Sequence, residues 1–146
     1  MSDKTIKFEI VTPEQVILKE EVVRATIPTK SGEVTILPDH IPLVSILQPG
    51  LIEVEKVSGD IEVMVVSGGF LEVLSGKIVI LADYAERAAS LDENIIEVAR
   101  AKAEQAKLEA KNRDDVEFTE VAAKLEIELF KTKALSRWRK IKNLDK

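Results

Sequence analysis

The chain has one histidine, His40, and it sits in the most proline-rich stretch, Gly32–Gly50, which also carries Glu33 and contains no lysine or arginine. An imidazole near a carboxylate is the beginning of general acid–base or metal chemistry. The rest of such a site is missing from the composition. One histidine cannot supply the two or three that metalloenzymes on sandwich and barrel scaffolds use, and no nucleophile–base pair is marked by spacing. Without cysteine there is neither thiol chemistry nor a disulfide framework, which fits a reducing compartment. Ser67-Gly68-Gly69 has no helix behind it to bind phosphate, so that glycine pair reads as a bulge or a close backbone approach. Two readings stay open for His40: a corner histidine bonded to nearby backbone, or a contact for a partner subunit. No residue is assigned a catalytic role.

Charge gives a second lead. The net charge of −5 divides unevenly, because residues 131–146 carry seven basic side chains against Asp145 alone. That segment is +6 and the remainder −11. A basic tail on an acidic body implies an acidic partner for the tail. No apolar run approaches the roughly 18 to 20 residues that cross a bilayer. The first ten residues show no apolar block behind their charges, so no signal peptide is expected, and the chain reads as soluble and cytoplasmic.

The elements that must position these residues fall into two regions. All six glycines and all five prolines precede residue 77. In that region Ile6, Phe8 and Ile10 alternate, as do Val23, Ala25 and Ile27, and then Ile61, Val63 and Val65, with turn signals at nearly every interval. The pattern predicts eight to ten short strands in an antiparallel sandwich or barrel built mainly from aliphatic residues. Pro38 and Pro42 keep the Val34–Leu37 and Ile41–Leu47 runs out of any continuous helix. From Ala85 onward good helix formers dominate. Ser90 and Glu93 have the spacing of a capping box, and Ile95, Ala99, Ala103, Ala106 and Ala110 form a smooth face for a first helix. Asn112–Asp115 is a polar break, and Asp114 and Glu117 are expected caps of a second helix with a Phe118, Ala122, Leu125, Leu129 stripe. Two helices so joined form an antiparallel hairpin. A further stripe, Ile127, Phe130, Ala134, Trp138 and Ile141, runs beyond the first helix and is ringed by basic residues. It reads as a frayed terminus, as an amphipathic basic helix that docks in an acidic groove, or as a helix lying on a membrane surface.

Three linked stretches, GEVTILPDHIPLVSILQPG, VSGGFLEV (Val66–Val73) and LADYAERA (Leu81–Ala88), resemble the epsilon subunit of bacterial F-type ATP synthase. The resemblance covers essentially the whole chain. It implies an antiparallel β-sandwich over 1–84 followed by a helical-hairpin regulatory domain over 85–146. It further implies a non-catalytic subunit of the rotary central stalk that couples gamma to the c-ring and meets the beta and alpha subunits. Such a subunit binds no nucleic acid, reaches the cytoplasmic face of the bacterial membrane only through the complex, and serves proton or sodium transport. Glu33 and His40 fall at family positions that look like contacts toward the c-ring and gamma. When the hairpin extends along gamma it blocks ATP hydrolysis, and Lys131, Lys133, Arg137 and Arg139 suit an acidic segment of beta. Some members bind regulatory ATP through a motif that Ile96-Glu97-Val98-Ala99-Arg100-Ala101 resembles, with glutamate for aspartate. Lys107, Ile127 and Lys131 stand near the further arginines of those members. The resemblance therefore names Glu97 and Arg100 as candidate ATP contacts, against an ordinary Glu97–Arg100 helix-surface pair, and implies no other cofactor. A freestanding sandwich-and-hairpin adaptor is the alternative.

Overall fold

The computed structural model describes residues 4–110 and 115–144. Seven strands are found among them: β1 (Ile6–Val11), β2 (Val16–Thr29), β3 (Gly32–Ile36), β4 (Leu43–Ile46), β5 (Gly50–Lys56), β6 (Ile61–Leu74) and β7 (Lys77–Arg87). Two helices follow, α1 (Glu93–Ala110) and α2 (Asp115–Leu144). The strands number fewer than the eight to ten expected because β2 and β6 are each 14 residues long and serve both layers of a sandwich. The first half of β2 pairs with β1, and its second half pairs with β5 and β3. The first half of β6 pairs with β5 and the second with β4, while β7 follows it through both. All pairings are antiparallel except β1 with β7. Because β1 also pairs with β2, the sheet closes on itself and leaves β3 and β4 at its margins.

Gly68 and Gly69 let β6 change layer. Both have positive φ, +70° and +111°, a region that costs other residues a steric penalty. A Cβ on Gly69 would collide with the Leu81 carbonyl oxygen, and one on Gly68 with the Asp83 carboxylate. The pair is therefore a close backbone approach between β6 and β7. Inside, the alternating residues Ile6, Phe8, Ile10, Ile52, Val54, Met64, Val66, Ile78 and Ile80 form the aliphatic core.

Residues 62–66 of β6 are buried on both faces. Met64 and Val66 point into the core, whereas Val63 and Val65 lie under α2 with Ala88, Ala134 and Ile141. Phe130 and Trp138 pack against the same cluster from α2, and Leu51 and Tyr84 from the sandwich. The apolar stripe that outruns the first helix is thus covered by the sandwich. The hairpin is antiparallel: Arg139 near the end of α2 reaches Glu93 at the start of α1, and Lys107 near the end of α1 lies over Phe118 near the start of α2.

Three local expectations change. Ser90 closes a short 3-10 turn (Ala88–Ser90), and Asp92 caps α1, its carboxylate accepting from Asn94 N–H at 2.8 Å and Ile95 N–H at 3.3 Å. The cap thereby moves the helix start, and Ile96 rather than Ile95 turns inward. Leu129 is 43% exposed, because α2 rolls its Phe130 side onto the sandwich. Asn112, Arg113, Asp114 and the side chain of Glu117 lie outside the described residues.

Candidate functional site

The corner around His40 is framed by backbone. Gln48 N–H donates to the Pro28 carbonyl, Lys30 N–H to Ile46, and Leu47 N–H to Gly69, all at 3.0 Å. Asp39 adopts φ +67°, a left-handed turn that aspartate tolerates. It pairs with Lys4 at 2.5 Å, and that contact raises the Lys4 pKa. His40 Nδ1 lies 2.6 Å from the Ile41 carbonyl oxygen. A carbonyl only accepts, so Nδ1 carries the proton, and the bond is to neighbouring backbone. Glu33 is exposed on β3, opposite Pro28 of β2. The two residues therefore share the corner at the sheet margin. Around them the surface is apolar: Leu37, Ile41, Val44 and Ile46 are exposed, and cross-strand register continues the row from Ile46 to Phe70 to Leu81. Sequence patterning hid this patch, because outward apolar residues on a strand look like inward ones until the register is known.

The second candidate surface is the seam between sandwich and hairpin, where the basic residues of α2 meet carboxylates of this same chain. Arg137 Nε donates to Glu53 of β5 at 2.6 Å. That bond raises the Arg137 pKa. Arg139 pairs with Glu93 at 3.2 Å. Lys131 is the most enclosed of the set. Its ammonium lies 5.3 Å over the Tyr84 ring, 3.1 Å from Glu128 and 3.8 Å from Glu86. Burial pulls its pKa down, but the Tyr84 hydroxyl and Glu128 outweigh it and the net shift is upward. Tyr84 donates to Glu86, and burial first, then that bond, push the phenol up to about 12 against the opposing pull of Lys131. Glu128 Oε2 is buried with no hydrogen-bond partner among the described residues. Lys133 stands apart from the carboxylates, 5.5 Å over the Phe130 ring.

Glu97 and Arg100 pair with each other at 2.8 Å, and Arg100 also reaches Glu104 at 2.9 Å. This is the helix-surface arrangement their spacing allows. Glu97 also lines a cleft of about 300 Å³ between the helices, with Thr132, Ser136, Arg139 and Lys140 from α2. Lys107 and Lys131 lie elsewhere, over Phe118 and Tyr84. The α2 wall of the cleft depends on how the two helices are rotated, which no local sequence pattern specifies. Among the described residues no three His, Asp or Glu side chains gather at metal-binding range, and no helix is long and apolar enough to cross a membrane.

Residues 5–88 match the family model described as ATP synthase, Delta/Epsilon chain, beta-sandwich domain. Among similar curated proteins, the ATP synthase epsilon chain of Herpetosiphon aurantiacus is 45% identical over 80% of this chain and 85% of its own length. That of Chloroflexus aggregans is 50% identical over 67% of this chain and 70% of its own. Among solved structures, a chain of the Euglena gracilis mitochondrial ATP synthase (OSCP, F1 and c-ring, rotational state 1) superposes with a TM-score of 0.76 at 28% identity. The match covers 92% of this chain and 84% of that one. A chain from the Tetrahymena thermophila central stalk and c-ring shares the fold, at TM-score 0.56 and 16% identity over 92% of this chain and 99% of that one.

Proposed function

The chain belongs to the ATP synthase delta/epsilon family, and from that premise we propose that it is a non-catalytic central-stalk subunit, coupling gamma to the c-ring and restraining ATP hydrolysis through its helices. The observation that carries the reading is the division of the surface into two parts. One is the apolar margin from Leu37 to Leu81, suited to permanent docking; on this reading His40 would contact gamma and Glu33 the ring loops. The other is a basic helix lying closed on the sandwich through a limited apolar seam, suited to release. We take the sandwich, which β7 extends to Arg87, as the coupling part and the two helices that follow as the regulatory part. Lys131, Lys133, Arg137 and Arg139 would contact an acidic segment of the beta or alpha subunits once the hairpin extends. The chain would then sit at the cytoplasmic face of the bacterial membrane, held there by the complex.

Removal of the residues after Ala88 tests this. The truncated chain should still bind gamma, and the assembled catalytic sector should hydrolyse ATP faster. Unchanged hydrolysis would remove the inhibitory role, and loss of gamma binding would remove the docking assignment. A regulatory nucleotide at Glu97 and Arg100 requires Arg100 to exchange two carboxylates for phosphate, with Arg139 and Lys140 across the cleft as the added cations. Equilibrium titration of the isolated chain with ATP decides that point: micromolar affinity supports it and millimolar affinity excludes it.

A further inference from the structure

Three of the four basic residues suited to an acidic partner, Lys131, Arg137 and Arg139, are already held by carboxylates of this chain. Glu53, on the outer face of β5, takes Arg137 at 2.6 Å, and the Tyr84–Glu86 pair of β7 takes Lys131. Neither carboxylate is needed by the sandwich core: Glu53 and Glu86 are only half-buried, on the surface that α2 covers. We propose that Glu53 and Glu86 act as an internal decoy for the acidic partner of the hairpin, so that release proceeds by exchange of one set of carboxylates for another. This rests on the reading above, in which the basic helix docks on an acidic segment.

The arrangement sets an order of events. Lys133 and Lys140 are exposed and have no carboxylate in ion-pair range among the described residues, so they meet an incoming acidic surface first. Arg137, with 53% of its side chain exposed, exchanges next. Lys131, at 17%, is released last, because its exchange requires the Tyr84 ring to come off it. Arg137 and Lys131 lie six residues apart on one helix, so their backbone positions are separated by about 9 Å along the axis. The partner would therefore offer carboxylates spread over a comparable length. Exchange also explains how a closed state held by several ion pairs can open readily. Each bond lost is replaced by one of the same kind, and the buried Glu128 oxygen that lacks a hydrogen bond among the described residues regains water.

The test uses the full-length chain, with amide exchange along α2 and emission of Trp138, the sole tryptophan, as readouts of closure. E53Q should speed α2 exchange about two- to five-fold, the scale of an exposed ion pair, and E53K should speed it further. The swap E53R/R137E should restore slow exchange. In the assembled catalytic sector E53Q should inhibit hydrolysis more strongly than the wild type, whereas the swap should inhibit weakly, since it sets a carboxylate on α2 where the acidic partner expects a cation. Wild-type exchange rates in both E53Q and E86Q, or a swap that fails to restore closure, would overturn the decoy. If the exchange results hold but the wild-type chain does not inhibit hydrolysis, the inhibitory reading fails while the internal latch stands.

Discussion

Alternate residues of β6 serve two different interfaces, and this can be separated by experiment. Val65 is fully buried under α2, and Val66, its neighbour, is fully buried in the sandwich core. Valine to alanine removes two methyl groups, worth about 1.6 kcal/mol at ~0.8 kcal/mol each, and the cavity left behind brings the loss to about 2 kcal/mol. For V65A that loss falls on the closed hairpin alone, so the ratio of open to closed should rise roughly thirty-fold. For V66A it falls on the sandwich, in both hairpin states. Hydrogen exchange distinguishes them. V65A should lower protection throughout α2 by about the same thirty-fold while leaving β1 and β7 amides near wild type. V66A should do the reverse. Equal loss of protection in α2 and in the sandwich for both variants would show that hairpin and sandwich open as one unit, and the argument for a releasable hairpin would fall.

Two further outcomes follow from the geometry. Asp92→Ala should cost about 1 kcal/mol of helix stability and speed exchange of the first α1 amides, while Ser90→Ala should leave them unchanged; the opposite result would return the cap to Ser90. Alkaline titration should loosen the seam. The folded state favours the neutral Tyr84 phenol, so its contribution is complete below its ordinary value of 10.0 and is lost as pH rises through about 12. Lys131, also raised, gives stability that is present below 10.5 and fades as pH climbs through its folded value, in the same direction. Tyr84 is the only tyrosine, so tyrosinate absorbance reports it directly: the midpoint should lie near 12 in the intact chain. A midpoint near 10 in the intact chain would contradict the buried, hydrogen-bonded phenol.

Much of the sandwich was legible because its strands obey a period of two and its turns carry glycine and proline. The strand count was not, since β2 and β6 cross between layers without a turn, although the close backbone approach read at Gly68-Gly69 is where β6 meets β7. The Ala-rich α1 face and the Trp138 stripe were visible as periodicities, but the partner of that stripe was not. One clue was present: the unbroken apolar run Val63–Val66 has no polar face, which is how a strand covered on both sides reads. For the site residues the sequence showed charge and could not show pairing. Arg137 and Glu53 are 84 positions apart, and nothing local couples them. The capping-box spacing favours Ser90 over a lone aspartate, whereas the backbone uses Asp92, the residue next to the helix.

The joint between the two parts is short. Arg87, held by Glu62 at 2.5 Å, anchors the end of β7, and Ala88 is fully buried in the seam. Only Ala89, Ser90 and Leu91 separate that anchor from the cap of α1, a tether of at most ~10 Å when fully drawn out. In the swing proposed above, the start of α1 can pivot but barely travel. The 18 residues of α1 make an arm of about 27 Å, and the 30 residues of α2 one of about 45 Å. A pivot of a few residues therefore commands a sweep of several nanometres at the far end, in the manner of a gate arm. Lengthening the tether would slacken that geometry, since the arm could then drift as well as turn.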